Sequence, residues 1–448
     1  MDIYLEIAVP LELKAVTFFI GNGFSKYLTD GHAPSWIQLL ENLTKKIEDG
    51  RGRTLHNKLF DTDESGNAIR SKLEPYICAQ VLELEYRKAK KDIKKCVAEV
   101  LKENININTI NFAKVDESKR FFNKYPGINF VTTNYDTLLS EHVLEGGFTN
   151  LFIENSAIPK SGLGQNIYHI HGCISKPSSL ILTISDYFKF QHRNSYLSRK
   201  LYTLLQETTT VILGYSLGDF NLNRIFHEAQ ITKANSLRKS DTYLVSRDPV
   251  EQIYKDFYAY TYGIHVIDDT EINIFFSNLE LHTDEAKRLN SQVEDLQNVM
   301  EGKSEYADEF IKLRTSFNSI LLQASTLGIN PTDKKLVKVL INILKKKKTF
   351  TYENAAWSQY EHLAEWLIDL ASIINIEKSD IKSDFLDLVE YSFVCMSKDL
   401  MLGYSWAAYK IWKNRFYEIK FENQKFIEEF AQSKTHIKEK YESIISQY

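Results

Sequence analysis

Paired cysteines are missing from this sequence. Its four cysteines, Cys78, Cys96, Cys173 and Cys395, lie far apart and form no C-x-x-C pair, so neither a zinc ribbon nor a dithiol redox motif can be built locally. Proline and glycine are sparse, at 8 and 18, beside 43% hydrophobic and 25% charged residues, which excludes a fibrous or disordered chain. Positive charge is not in excess either. The formal net charge of -4 provides no whole-molecule field to draw in nucleic acid or anionic lipid, although a local basic patch stays open. No run approaches the ~20 apolar residues of a membrane helix. The N-terminus, with Asp2, Glu6 and Glu12 ahead of Lys14, lacks the charged and apolar blocks of a secretory signal. These absences predict a soluble, cytoplasmic protein with no metal site.

What is present is alternation. The 448 residues allow two or three domains at about 100 to 200 residues each. Short apolar runs at Ala15–Ile20, Asn129–Thr133, Thr208–Ser216, Thr242–Arg247 and Ile264–Ile267 have the pattern of strands buried on both faces. Helical stretches separate them; in one, Trp36, Leu39, Leu40, Leu43 and Ile47 recur at helical spacing. The spacing predicts an α/β fold, a Rossmann-like doubly wound parallel sheet, with a mostly helical insertion over about 58–123. After about residue 280 the strands stop. Leu289, Val293, Leu296 and Met300, then Phe310, Leu313, Phe317 and Ile320, follow one helix face, and Leu327–Lys335 reads as a break with an Asp or Thr cap. Residues 1–280 are therefore expected to form one domain and 281–448 an all-helical second one.

Ligands of open parallel sheets sit beyond the carboxyl ends of the strands, so the residues there carry the functional reading. Gly21-Asn22-Gly23-Phe24-Ser25 follows the first strand, and its glycines permit a tight turn and close approach of backbone to a pyrophosphate. The third glycine of the usual fingerprint is absent, with Lys26 in its place. A plain strand-to-helix turn explains the stretch equally well. Thr132-Thr133-Asn134-Tyr135-Asp136 ends the next strand, where Asn134 as a helix cap and Asp136 as a dipole partner are the simplest reading. In His169-Ile170-His171-Gly172 both rings would point to one sheet face, and Gly172 lets the chain turn and expose His171. His169 reads as a buried support. Gly214–Asn221 combines glycine, small and acidic residues suited to a ribose site, though a capped turn accounts for it nearly as well.

Taken in order, these elements resemble the sirtuin family, and more closely the diverged sirtuin-like proteins of bacterial antiviral defence. Ala33–Leu43 is similar to the same diverged branch, and the resemblance covers about residues 12 to 270. It implies binding of NAD as substrate and cleavage of the nicotinamide–ribose bond. Asn134 would position water and the nicotinamide ribose, and His171 would be the catalytic base. Asp136 would face the carboxamide; Gly21, Asn22, Gly23 and Ser25 would lie on the pyrophosphate or adenosine side; Gly214, Ser216 and Asp219 would line the opposite rim. Thr133 stands where deacetylating sirtuins have a glutamine beside the ribose, and Ser246 where they have an adenosine-ribose asparagine.

The departures bear on the acceptor. Deacetylating sirtuins carry a four-cysteine zinc module after the His-Gly motif, whereas here Cys173 stands alone and Ile174–Gln206 has no thiol pair. NAD hydrolysis is therefore expected ahead of protein deacylation. A non-catalytic NAD or ADP-ribose sensor and a scaffold subunit are the other readings. The helical half is expected to mediate homo-oligomer assembly or to respond to a defence-system partner or phage trigger. Its tryptophans, Trp357, Trp366, Trp406 and Trp412, read as core before interface, and Lys345–Lys348 as a solvated helix end.

Overall fold

The computed structural model describes residues 3–48, 50–145, 149–153, 165–192, 196–233, 242–293, 296–314 and 316–445. The chain forms two compact units. One comprises Pro10–Ile231 and Ser240–Thr283; the other comprises Met1–Val9, Thr232–Lys239 and Asp284–Tyr448.

The strands of the first unit are β1 (Val16–Ile20), β2 (Phe60–Thr62), β3 (Ala68–Ser71), β4 (Asn129–Thr132), β5 (Thr149–Ile153), β6 (Gln165–His169), β7 (Thr209–Leu213), β8 (Thr242–Val245) and β9 (Ile264–Ile267). Seven of them make one sheet in the order β5-β6-β4-β1-β7-β8-β9. Every neighbouring pair is parallel. Leaving aside the edge strand β5, this is the 3-2-1-4-5-6 order of dinucleotide-binding sheets. The doubly wound α/β fold expected from the alternation is present. Its order reverses at β1, with β4 on one side and β7 on the other, so a crevice is expected where these three strands end.

The sequence gives β1 two faces to bury. Phe18 packs on Phe122 and Phe130, with ring centroids 5.1 and 6.0 Å away, while Phe19 packs on Tyr215 and Phe226 at 5.0 and 5.8 Å. Helix Phe112–Asn123 supplies Phe121 and Phe122 to the first layer. On the second face, Leu201, Leu205 and Phe226 join Val131 and Ile212 in one apolar cluster. Each buried phenylalanine contributes roughly 1.5 to 3 kcal/mol.

The insertion is not wholly helical. β2 and β3 form an antiparallel hairpin inside the span expected to be mostly helix. The cause is a local turn: Asp63 Oδ1 accepts the Asn67 N–H at 2.8 Å, and Gly66 takes the left-handed conformation, φ 81°. Helix Trp36–Lys45 begins with a capping box between Ser35 and Gln38. Its Leu39, Leu40 and Leu43 join Leu82, Val97 and Leu101 of the insertion in a core of their own.

In the second unit every described helix or strand among residues 284–445 is helical, apart from an isolated bridge between Met396 and Ser405. Asp333 caps helix Lys334–Phe350 through the N–H groups of Lys335 and Leu336, at the break the sequence marked. Trp366 and Trp412 are fully buried, whereas Trp357 and Trp406 are 53% and 38% exposed, so the tryptophans divide between core and surface. The lysine run departs from expectation. Lys345 and Lys346 pair with Asp384 and Asp308. Lys347 is buried and donates to the carbonyls of Ile311 and Lys312 at 2.8 and 3.0 Å, with its Nζ 4.2 Å from the Trp366 ring centre. Its place on the inner helix face outweighs its charge, and burial pushes its amine down to about 6.

Candidate active site

Two strand ends interlock through glycine. The N–H of Gly21, just past β1, donates to Leu213 O at 2.9 Å, and Gly23 N–H donates to Gly214 O at 2.6 Å. A Cβ on Gly21 would lie 2.5 Å from Gly214 O, and one on Gly23 would lie 2.7 Å from Gly214 Cα. Gly214 adopts φ 66°, and a Cβ there would meet Phe24 N at 2.2 Å. The close approach that these glycines permit is first of all between two segments of the protein. Asn22 turns its side-chain amide to Pro34 O at 3.0 Å.

Beside this crossing lies a buried polar cluster. The Thr132 hydroxyl donates to Ile20 O at 2.9 Å and accepts the Asn134 N–H at 3.0 Å, tying the end of β4 to β1. Thr133 continues the ladder through its N–H to Ile20 O at 3.4 Å. Asn134 Nδ2 donates to Gly21 O at 3.0 Å and to Ser25 Oγ at 2.9 Å. Ser25 in turn donates to Asp136 Oδ2 at 2.8 Å, while Asp136 Oδ1 accepts the Leu138 N–H at 3.1 Å. Both donors of the Asn134 amide are thus engaged, and its Oδ1 is buried with no hydrogen-bond partner among the described residues. Burial raises the Asp136 carboxyl above its ordinary range against the opposing pull of the Ser25 hydroxyl.

The two histidines part company. β6 pairs with β4 in the register Thr132↔His169, so Asn134 and His171 each stand two residues beyond a matched pair on adjacent strands. His169 is buried, its Nδ1 lies 3.2 Å from Asn134 O, and burial pushes it down to about 4. After it the strand ends, and Gly172 turns the chain at φ 84°. His171 Nε2 lies 3.5 Å from Asp219 Oδ2, and the same oxygen accepts the Tyr187 hydroxyl at 3.1 Å. Burial lowers the His171 imidazole from its ordinary value, while Asp219 pulls the other way.

Residues 128–267 match the family of SIR2-like domains. The chain is also similar to Defense-associated sirtuin 2 of Bacillus subtilis, at 22% identity over 142 residues. That match takes in 31% of this chain and 14% of the relative, so the chain corresponds to a small part of that protein's length.

The matched span runs from β4 to β9 and contains Asn134, Asp136, His171, Gly214, Ser216 and Asp219. The Gly21–Ser25 turn precedes the span, and the hydrogen bonds of Asn134 join it to the rest. Ser216 is exposed on the loop beyond β7. Asp219 is nearly buried, its Oδ1 3.4 Å from the N–H of Leu222 at the start of helix Phe220–Lys233. The capped-turn reading and the proximity to His171 therefore both hold for Asp219, one for each oxygen.

Tyrosines near His171 escaped the sequence reading. Tyr187, on helix Ile184–His192, meets the His171 ring edge-on at 5.7 Å and stacks with Trp36 at 6.2 Å. Tyr135 donates to Ile181 O at 2.6 Å, and Ile181 N–H donates to His171 O at 2.9 Å, so the segment before that helix is held against both motifs. Tyr135 and Tyr215 stand inside quoted motifs; their aromatic character was the available signal. A pocket of about 470 Å³ opens beside Asp136, between Ile105 and Ile107 of the insertion and Leu138, Glu141 and His142. Among the described residues no helix is long and apolar enough to cross a membrane.

Proposed function

We propose that this chain is an NAD+ hydrolase that uses water to cleave the nicotinamide–ribose bond, giving nicotinamide, ADP-ribose and a proton. One observation carries the reading: Asn134 has both amide protons committed to Gly21 O and Ser25 Oγ, and its buried Oδ1 remains to accept a hydrogen bond. A fixed acceptor of that kind suits a water molecule or a sugar hydroxyl, and orientation is a large part of what such a reaction needs. His171, on the neighbouring strand end, takes the proton from the incoming nucleophile. Burial favours its neutral form, which is the form a base requires. Departure of nicotinamide removes the positive charge of its ring, so no strong general acid is needed, and the ribose passes through an oxocarbenium-like state. Asp136, kept toward its protonated form by burial, would face the carboxamide.

The lone Cys173 and the absence of further cysteine through Gln206 favour water over an acyl-lysine, because no four-cysteine zinc module frames a peptide groove. The likeness to a defence-associated sirtuin supports a place in antiphage defence, where consuming NAD would halt the infected cell. The helical unit would then govern activation or homo-oligomer assembly. Incubating the purified chain, Asn134→Ala and His171→Ala with NAD, and following nicotinamide and ADP-ribose, tests the proposal. Product from the parent protein and a loss of roughly 10²-fold or more in each variant are expected. NAD binding without product under every activating condition tried would replace the hydrolase by a sensor; transfer to an acyl-lysine peptide would replace it by a deacylase.

A further inference from the structure

The notable geometry around His171 is a line of three side chains drawn from three separate elements. Tyr187 comes from helix Ile184–His192, Asp219 from the loop after β7, and His171 from the end of β6. Tyr187 Oη donates to Asp219 Oδ2 at 3.1 Å, and that oxygen lies 3.5 Å from His171 Nε2. The second gap is longer than a formed hydrogen bond and short enough for an ion pair once the ring is protonated. Asp219 Oδ1 is occupied separately, at the Leu222 N–H, which fixes the plane of the carboxylate. Leu217, in the left-handed conformation at φ 54°, is held through its carbonyl by Asn223 Nδ2 at 2.7 Å, so the loop is braced where it delivers the acid.

We propose that Asp219 is the positioning residue of His171, and that the Tyr187 hydroxyl sets how strongly Asp219 acts. The carboxylate Oδ2 opposite Nε2 favours a proton on that nitrogen, and so stabilises the imidazolium formed when the ring accepts a proton. Tyr187 shares its proton with the same oxygen and so reduces the charge His171 experiences. The two partners therefore act on the imidazole in opposite senses.

Among the described residues, the other groups near the line are neutral or already paired. Tyr135 and Tyr215 act electrostatically on Asp219 or Tyr187, and burial raises both phenols, keeping them neutral. Asp186, one residue from Tyr187, is paired with Lys94 at 2.9 Å. Trp36 and Tyr76 pack on Tyr187 as uncharged rings. His169, two residues before His171, faces Asn134 O.

The test is the titration of His171 in the full chain, read from ¹³C-labelled histidine Cε1 resonances assigned by His171→Ala, in the parent, Asp219→Asn and Tyr187→Phe. Asp219→Asn should lower the midpoint by roughly one pH unit, an ordinary effect for an opposite charge this close. Tyr187→Phe should raise it by less. Thermal melting confirms that each variant is folded, and Asp219→Glu, which restores a carboxylate, should recover part of the loss. The kinetic arm alone rests on the hydrolase reading: the acidic limb of NAD turnover should move down in Asp219→Asn and up in Tyr187→Phe. Midpoints that stay fixed in folded variants, or move in the same direction, overturn the proposal. Opposite midpoint shifts in a protein that never releases nicotinamide would uphold the line of three residues and remove the hydrolase reading.

Discussion

Ser25 is the most informative residue to remove, because its hydroxyl is spent on bonds within the protein and holds Asn134, the residue proposed to orient the water. Its Oγ accepts from Asn134 Nδ2 at 2.9 Å and donates to Asp136 Oδ2 at 2.8 Å, at a site 1% exposed. Ser25→Ala deletes both bonds without adding volume. Two buried hydrogen bonds at about 0.5 to 1.5 kcal/mol each put the stability loss at roughly 1 to 3 kcal/mol. Asn134 keeps its bond to Gly21 O and can swing about it, so Oδ1 loses its fixed direction. If about 1 to 2 kcal/mol of that loss falls on the transition state, kcat drops roughly 5- to 30-fold with little change in KM. Asp136, relieved of a bond that favours its charged form, shifts further toward protonation. Urea denaturation and steady-state release of nicotinamide measure the two effects. Full activity in a variant destabilised as expected would refute the claim that the Ser25 bond orients Asn134.

Three further outcomes follow from the geometry. Gly214→Ala places a methyl 2.2 Å from Phe24 N in a left-handed backbone, a clash with main chain that no rotamer relieves, so a loss of roughly 4 kcal/mol or more is expected; a change under about 1 kcal/mol in urea denaturation would contradict the interlock. Lys347, with its folded amine near 6 and an ordinary unfolded value of 10.5, binds fewer protons folded than unfolded between those pH values, so its contribution to stability grows as pH rises through that window, by up to about 1.4 kcal/mol per unit. Lys347→Met should flatten that slope in melts taken between pH 6 and 9, whereas an unchanged slope would place the titration elsewhere. Lys94 donates to Leu180 O and pairs with Asp186 at 2.9 Å; Lys94→Met should speed amide exchange across 180–192 by roughly tenfold while the melting temperature moves little, and unaltered exchange there would show that this anchor is idle.

Where the sequence was legible, one physical pattern did the work. β1 and β7 are buried along their whole length, and continuous apolar runs such as Val16–Ile20 and Thr209–Leu213 reveal that without knowledge of their partners. The edge strand β5, Thr149–Ile153, went unseen because its mixed polar and apolar residues match neither a buried run nor strict alternation. The β2–β3 hairpin was hidden by its short strands, and Lys347 by the habit of reading a basic run as surface. Asn134 and His171 stood out because each follows a strand. Tyr187 did not: its place opposite Asp219 is set by how helix Ile184–His192 packs against Trp36 and Tyr76, which no spacing along the chain encodes. The Gly21–Ser25 turn was found for a general reason, glycine after a strand, while its close fit against Gly214 needed the third dimension.

That fit has a mechanical consequence. Backbone wedged against backbone at Gly21, Gly23 and Gly214 leaves no slack on that flank, so the junction of the two strand ends should behave as one stiff saddle. In the proposed reaction, any widening for a substrate to enter or a product to leave would fall instead to the segment carrying Tyr187 and Asp186, which is tied across to Asp219 and Lys94 through side chains.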